Sequence, residues 1–272
     1  VLPTKCCDVQ TVNRARAVAR QLGIPLLEPD LRKEFKHRVV DPFLAASRAG
    51  LTPNPCVLCN RIFKMSELLK LAKKLKCEYI ATGHYARIRR NRDGSVSLLE
   101  ARDPKKDQSY FLSRLTQKEL ARCVFPLETL QKSEVYALAK KFRIPLEKET
   151  YRARQDLCFF PETSPAAFLR GYIQKKSGLI MTRSGTILGI HEGLAFYPVG
   201  QRKGLKIGGQ KIPVHVVGKD RRANALIVAP RGEDTSKQAG VTSLSFPATP
   251  LPRTRLALQA RIRASGQKHR GI

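Results

Sequence analysis

Signals for membrane insertion and secretion are missing from this sequence. It contains no apolar run of about 18 residues, the length that a membrane-spanning helix needs, and its first residues show no signal-peptide pattern. Its 7 cysteines are too few and too irregularly spaced for a secreted disulfide scaffold, and an odd count leaves at least one thiol unpaired. We therefore expect a cytoplasmic protein in a reducing compartment, with no membrane partner.

Acidic residues are also scarce. The 272 residues include 22 Asp and Glu against 51 Lys and Arg, a formal net charge of +29, and the excess is spread along the whole chain. Such an excess favours a polyanion as the partner. A membrane surface is the competing interpretation, which the lack of an apolar segment disfavours.

The first 163 residues alternate between helical and strand spacing, which is typical of an α/β domain with a parallel sheet. A period-two pattern around Arg92-Asp93-Gly94 adds a β-hairpin. The predicted elements are helices at residues 8–23 and 60–76, strands at 24–27 and 79–82, and the hairpin within 85–100.

The character of the sequence changes at residue 164, where brief β-rich runs separated by glycines begin. Strand-like runs at residues 214–218, 224–229 and 256–263 predict a small β-barrel or sandwich. The resulting division is a catalytic α/β domain at 1–163, a central domain at 164–212 and a partial C-terminal β-barrel at 213–272.

Two cysteines lie in the proline-stiffened stretch Thr52–Asn60. Pro53 and Pro55 bias the residues before them away from helical dihedrals and helical spacing follows, so we expect Cys59 at or near a helix N-terminus. There the helix dipole lowers a thiol pKa below its usual value of about 8.5, which suits a nucleophile. A Cys56-x-x-Cys59 pair also fits a redox pair, iron–sulfur ligands, half a zinc site or a structural role, although no second C-x-x-C completes a zinc site.

Four further features have a functional and an ordinary interpretation. Cys158 lies in a strand-like apolar run, where a cysteine is more often a core residue. His84 follows the strand predicted at 79–82, and ligands gather at the carboxyl ends of parallel strands. Residues 106–108 fit a solvated turn, and residues 200–204 fit either a phosphate-contacting loop or a basic turn.

Five segments in this order resemble the tRNA-specific 2-thiouridylase family over nearly the whole chain. The resemblance implies a parallel-sheet adenine nucleotide alpha hydrolase-like (PP-loop ATPase) domain and thiolation of the tRNA wobble uridine. The segments are Thr52–Asn60, Ala81–Arg87, Lys106–Leu112, Gln155–Phe159 and Gly193–Gly204.

The resemblance also assigns roles to residues. Cys59 matches the catalytic nucleophile, Cys158 matches the cysteine that carries a persulfide, and Gly83 matches an ATP-contacting glycine. The positions that match tRNA or target-base contacts are Asn54, Pro55, Cys56, His84, Lys106, Asp107, Gln108, Gln201, Arg202 and Arg263.

The implied reaction uses ATP, with Mg, to adenylate the C2 oxygen of uridine. The persulfide on Cys158 then supplies sulfur, and Cys59 attacks it, leaving a disulfide between the two cysteines. Cys59 and Cys158 must therefore approach each other. The expected partners are tRNA and a persulfide-carrying sulfur donor protein, and we expect a monomer.

The sequence departs from the family pattern in two places. A Ser-Gly-Gly-x-Asp-Ser type ATP loop is absent, so we expect residues upstream of Val1 to be missing, and a non-catalytic tRNA-binding fragment is the rival hypothesis. Cys56 stands where many family members have Asp. The extra thiol allows an iron–sulfur-dependent tRNA sulfurtransferase with Cys56, Cys59 and Cys158 as ligands.

Overall fold

The computed structural model describes residues 9–144, 158–160, 165–209, 212–230, 232–233, 258–261 and 269–271. The chain forms two compact units, each built from three separate stretches. Unit 1 comprises Val1–Val12, Pro29–Asn54 and Gln155–Val241, and unit 2 comprises Asn13–Glu28, Pro55–Arg154 and Thr242–Ile272.

The helices are mostly short. They are α1 (Val9–Leu22), α2 (Arg32–Phe35), α3 (Asp41–Arg48), α4 (Pro55–Cys59), α5 (Ser66–Lys74), α6 (Ser109–Leu112), α7 (Gln117–Ala121), α8 (Lys132–Lys141) and α9 (Pro165–Arg170). Two π-helical segments, Lys36–Val40 and Asn60–Met65, and a 3-10 turn at Leu194–Phe196 complete the set.

Among the described residues, the strands form four small sheets. They are β1 (Ile80–Ala81), β2 (Arg87–Arg90), β3 (Val96–Leu99), β4 (Cys123–Val124), β5 (Gly178–Thr182), β6 (Ile187–His191), β7 (Val214–Asp220), β8 (Ala225–Pro230), β9 (Leu258–Ala260) and β10 (His269–Gly271).

The parallel pair β1–β4 lies at the core of unit 2. Ile80 pairs with Cys123 and Ala81 with Val124, and the N–H of Thr82 extends the ladder by donating to the Val124 carbonyl at 3.1 Å. Both β1 and the antiparallel hairpin β2–β3 occur where the sequence predicts them. The buried residues packed around them are Met65, Ala72, Ile80, Ala86, Val96, Leu112, Leu115, Leu120, Cys123 and Phe125.

A four-stranded sheet in the order β6-β5-β8-β7 forms the centre of unit 1. Strands β5 and β8 are parallel and the other neighbours antiparallel, so this sheet is mixed. The predicted runs at 214–218 and 224–229 are confirmed as β7 and β8. Because β5 and β8 pair directly, the predicted domain boundary between residues 212 and 213 falls inside this sheet.

The helix after the prolines begins earlier than predicted. It starts at Pro55, whose fixed φ and missing N–H suit the first helical position, and it continues through the π-helical segment to Lys74. Cys59 therefore lies at the end of the first turn rather than at the helix start. The dipole acts most strongly at the helix start, and Cys56 lies closer to that start than Cys59 does.

Two predicted strands are wrong. Residues 24–27 are exposed and pair with no strand in the described part of the chain, because their apolar side chains do not enter a core. Cys158 and Phe159 form a turn, and residues 155–157 lie outside the described ranges. Phe159 and Phe160 are both buried with ring centroids 4.9 Å apart. A strand would send successive side chains to opposite faces, whereas a turn admits both to one cluster.

Within the ranges that the structure describes, no helix has the length and apolar character needed to cross a membrane.

Candidate active site

One asparagine links the Cys56–Cys59 helix to the end of strand β1 through hydrogen bonds. Asn60 is buried, and its Nδ2 donates to the Cys56 carbonyl at 3.0 Å. Its Oδ1 lies 3.1 Å from Nε2 of His84, which is 24 residues further along the chain. An α-helix pairs the carbonyl of residue 56 with the N–H of residue 60. A carbonyl oxygen has two lone pairs, so the side-chain amide of Asn60 can donate to the same carbonyl as well.

The hydrogen bonds around His84 determine its tautomer. The Oδ1 of Asn60 only accepts, so Nε2 of His84 carries the proton and donates to it. The Nδ1 atom then accepts from the hydroxyl of Thr82, at 2.8 Å. The opposite orientation of Asn60 would place its oxygen against the Cys56 carbonyl, two acceptors in contact. His84 is therefore a neutral ring with both nitrogens engaged.

Burial lowers the pKa of His84 to about 4, and the positive charge of Lys64 lowers it further in the same direction. At neutral pH the ring carries no charge for pairing with a phosphate. Its edge also meets the Phe125 ring, with centroids 6.1 Å apart. In this state His84 acts as a link between β1 and the cysteine-bearing helix.

The two thiols of the helix differ in accessibility. Cys56 is half-buried, and burial raises the pKa of its thiol, an effect that Lys64 opposes. Cys59 is buried at 5% exposure. A nucleophilic role for Cys59 therefore requires a state in which its sulfur becomes accessible.

The segment before His84 leaves open space beside β1. Gly83 is exposed, and a Cβ added there would meet only Leu127 Cδ1 at 3.8 Å, an ordinary contact. Packing within the described protein therefore does not require glycine at this position. The carboxyl end of a parallel strand is where α/β domains bind ligands, and an exposed glycine permits close approach of one.

The Lys106–Gln108 segment is hydrogen-bonded to Tyr85, the residue after His84. The backbone N–H of Tyr85 donates to Oε1 of Gln108 at 2.9 Å, and the N–H of Gln108 donates to the Tyr85 carbonyl at 2.8 Å. Lys106 is half-buried. The Tyr85 ring is buried, and its hydroxyl has no hydrogen-bond partner among the described residues.

Asp107 is occupied by internal hydrogen bonds. Its carboxylate accepts from the N–H of Ala101 at 2.9 Å and from the N–H and hydroxyl of Ser109 at 3.2 and 2.9 Å. Arg261 Nη1 donates to it at 2.9 Å, and the other arm of Arg261 pairs with Glu100. With its side chain only 4% exposed, Asp107 anchors the chain after β9 to this segment.

Pro55 is buried at the start of the cysteine-bearing helix in unit 2, and the remaining predicted positions fall in unit 1 or outside the described ranges. Cys158 is half-buried beside the Phe159–Phe160 cluster, and Asn54 is exposed. Gln201 donates from Nε2 to the Lys203 carbonyl at 2.9 Å, and its own carbonyl accepts from Val216 of β7. Arg202 is exposed, and Arg263 lies outside the described residues.

Cysteines 56, 59, 77, 123 and 158 are thiols rather than disulfides in the part of the chain that is described. No group of three or more His, Cys, Asp or Glu side chains in those ranges is arranged to hold a metal ion. Cys123 packs in the core of unit 2, and burial, together with the smaller effect of the nearby Glu119 charge, raises its pKa to about 11.

Sequence reasoning missed the linking residues of the site. Asn60 and Thr82 stand within the recognised segments, yet neither was assigned a role. A polar residue directly after the apolar turn Pro55–Cys59 is the signal available for Asn60. The partner, His84, depends on how the chain folds.

Two family models assign the α/β part of the chain to a HUP domain of the PP-loop ATPase type and the part with the mixed sheet to a PRC-barrel-like domain. Residues 2–162 match the family described as "tRNA methyl transferase HUP domain", and residues 166–230 match "tRNA methyl transferase PRC-barrel domain".

Curated relatives identify the family within this class of proteins. The tRNA-specific 2-thiouridylase MnmA of Geobacter metallireducens is 44% identical over 231 residues, covering 84% of this chain and 62% of the relative. That of Geotalea uraniireducens is 40% identical over 260 residues, covering 95% and 68%. That of Lactococcus lactis subsp. cremoris is 42% identical over 228 residues, covering 82% and 60%. This chain belongs to the tRNA-specific 2-thiouridylase family, and it spans about 60–68% of the length of these relatives.

Proposed function

We propose that this protein is a tRNA-uridine 2-sulfurtransferase that exchanges the C2 oxygen of the wobble uridine for sulfur. The observation that carries the proposal is the attachment of the Cys56–Cys59 helix, through Asn60, to His84 at the carboxyl end of β1. That attachment keeps a cysteine pair near the carboxyl end of β1, within the stretch that matches a HUP domain, and relatives at 40–44% identity are named for this activity.

ATP, bound with Mg, supplies the adenylyl group that makes the C2 oxygen a leaving group. Gly83 is the residue proposed to contact the nucleotide, a role supported by its exposure at the end of β1 and the space beside it. A backbone without a side chain lets the nucleotide approach the strand end closely. His84 is neutral and hydrogen-bonded at both ring nitrogens, so it orients the neighbouring helix and exchanges no proton.

Sulfur transfer requires two cysteines with different roles. A persulfide on Cys158 holds the sulfur, and the Cys59 thiolate attacks Sγ of Cys158. The bond to the outer sulfur breaks, its electron pair leaves with that sulfur as hydrosulfide, and a Cys59–Cys158 disulfide forms. The hydrosulfide adds to C2, loses its proton to water and expels the activated oxygen as AMP. A thiol reductant then restores both cysteines.

The remaining partners follow from the same chemistry. The formal charge of +29 supports tRNA as the polyanion. The target base must leave its stack to reach the cysteines, and Asn54, Pro55 and Cys56 are the residues proposed to contact it. Lys106, Gln108, Arg202 and Arg263 are the proposed tRNA contacts, a persulfide-carrying protein loads Cys158, and the enzyme acts as a cytoplasmic monomer. Asp107 and Gln201 each stabilise their own segment, next to Lys106 and Arg202 respectively, through the bonds described above.

Incubation of the protein with unmodified tRNA, ATP, Mg and a persulfide donor tests the proposal. Nucleoside mass spectrometry distinguishes 2-thiouridine from a methylated nucleoside, which matters because the matched domains are described as tRNA methyl transferase. We expect 2-thiouridine that depends on ATP. Binding of tRNA without any modification would support the non-catalytic alternative. Activity that requires iron, together with absorption at about 400 nm after anaerobic purification, would support an iron–sulfur enzyme with Cys56, Cys59 and Cys158 as ligands.

A further inference from the structure

A second concave surface lies in unit 1, apart from the residues of the proposed active site. It is a cleft of about 950 Å³ that we call the basic cleft. Its lining comes from the end of α3, the segment before β5, the turn around Leu194 and the β7–β8 hairpin. The lining residues used below are Arg48, Gly50, Tyr172, Lys176, Arg221 and Arg222.

The charge of the basic cleft is uniformly positive. Five of its lining residues are Lys or Arg, and none of the described lining residues is Asp or Glu. Lys175 lies 3.5 Å from Glu192. The other four, Arg48, Lys176, Arg221 and Arg222, make no ion pair among the described residues. Like charges gathered without carboxylates repel one another, and a bound anion relieves that repulsion.

Two of the arginines are held in place by backbone carbonyls. Arg48 donates from Nη2 to the Tyr172 carbonyl at 2.9 Å, and Arg221 donates from Nη1 to the Ala49 carbonyl at 3.2 Å. Each guanidinium has five N–H donors, so one anchoring bond leaves several for a ligand. A guanidinium fixed in this way loses less entropy when it binds phosphate.

The backbone leaves room for these side chains. Gly50 has φ +74°, and a Cβ there would lie 3.3 Å from both Cγ and Cδ of Arg221. A larger residue would strain the turn and displace the arginine stem. The Tyr172 ring at the cleft is 41% exposed and offers an apolar face on which a base or ribose can stack.

We propose that the basic cleft binds the sugar–phosphate backbone of the RNA substrate, with Tyr172 against a base or ribose. Anchored arginines, a lysine without an ion pair in the described ranges and an exposed aromatic residue form a combination that suits single-stranded or looped RNA. The inference relies on the proposed function for the identity of the RNA. It adds a binding surface in unit 1 to the contacts proposed around the cysteine helix.

The test compares two double variants that remove the same charge. Lys176→Gln with Arg222→Gln changes the cleft, and neither side chain has a described internal bond to lose. Lys33→Gln with Lys74→Gln is the matched control, because both residues are exposed and lie outside the cleft. Binding of a fluorescent unmodified tRNA transcript is measured from 50 to 200 mM KCl, with thermal melting as a folding check.

We expect the cleft variant to reduce the slope of log affinity against log salt by about 1.5–2 and the control to leave it nearly unchanged. Labelling of amines by an acylating reagent should fall at Lys176, and not at Lys33, when tRNA is bound. Equal slopes and affinities for the two variants would overturn the cleft proposal and leave the proposed function standing. Weaker binding of ATP or pyrophosphate, with tRNA binding intact, would identify another anion and also overturn it. Failure of the parent protein to bind tRNA would contradict both proposals.

Discussion

Asn60 and His84 share a hydrogen bond of 3.1 Å that joins the cysteine-bearing helix to the carboxyl end of β1. Asn60 is a positioning residue, because its other bond holds the Cys56 carbonyl while it touches no reacting atom itself. The geometry of the two thiols therefore depends on an amide that presents its oxygen to His84 and its nitrogen to the helix.

Asn60→Asp tests this arrangement with almost no change of shape. The variant places a carboxylate oxygen against the Cys56 carbonyl, and we expect a loss of about 1–3 kcal/mol of folding stability together with a large loss of thiolation. The new negative charge beside Nε2 should raise the pKa of His84 from about 4 towards its ordinary value. Histidine NMR titration measures that shift. An unchanged His84 pKa would show that the two side chains do not interact.

The lowered pKa of His84 predicts how stability depends on pH. The fold favours the neutral ring, so its stabilisation is complete above the ordinary pKa near 6.5 and is lost as the pH falls towards 4. The loss attributable to His84 is on the order of 1–3 kcal/mol. Urea unfolding of the parent and of His84→Gln between pH 7 and 4 measures it, since the variant keeps a polar side chain without the titration.

His191 provides the control for that experiment. It is also buried, and burial lowers its pKa, so it contributes a loss of stability of the same sign in both proteins. The difference between the parent and His84→Gln isolates the His84 contribution. If the two proteins lose stability in parallel from pH 7 to 4, His84 is not held neutral by the fold.

Local signals account for the part of the fold that was predicted correctly. The β2–β3 hairpin follows from a period-two pattern and the Asp93-Gly94 turn, where Gly94 has φ +80°. Strand β1 follows from a short apolar run that ends in glycine. Each of these signals lies within a few neighbouring residues, so no knowledge of distant contacts is needed.

The errors arise where distant contacts decide. Residues 24–27 are apolar enough for a strand but are exposed, with no pairing partner among the described residues. The pairing of Asn60 with His84 joins residues 24 apart, and that of Asp107 with Arg261 joins residues 154 apart. Asp107 was predicted from the resemblance as a tRNA contact, and only the folded chain reveals its four internal hydrogen-bond donors.

The cysteines should differ in reactivity towards iodoacetamide. Cys77 is exposed and should react first, whereas Cys56 should react slowly because burial covers its thiol and raises its pKa. Cys123 should react last, since it is buried and its pKa is raised to about 11. Peptide mass spectrometry over time measures the order. Rapid alkylation of Cys56 at neutral pH would contradict the burial described for it.

The same residues supply the test of the two proposed catalytic cysteines. Cys59→Ser and Cys158→Ser should each abolish 2-thiouridine in tRNA, because each removes one sulfur of the exchange. Cys77→Ser should leave the modification intact, since the side chain is exposed and lies outside the proposed site. During turnover without reductant, peptide mapping of the parent should detect a Cys59–Cys158 disulfide. Retention of 2-thiouridine in either serine variant would refute the assignment of that cysteine.

The ion pair between Arg261 and Asp107 should matter far more than the one between Arg261 and Glu100. The Asp107 side chain is 4% exposed, and removal of Arg261 leaves a buried carboxylate without its counter-charge. We expect Arg261→Ala to cost about 3–5 kcal/mol, measured by urea unfolding. Glu100 is 44% exposed, so Glu100→Gln should cost less than about 1 kcal/mol.

In the double variant Asp107→Asn with Arg261→Ala, the loss of folding stability should be smaller than the sum of the two single losses, because Asp107→Asn removes the carboxylate charge that Arg261→Ala leaves unpaired. Similar small losses for Arg261→Ala and Glu100→Gln would show that the chain after β9 is not anchored through Asp107.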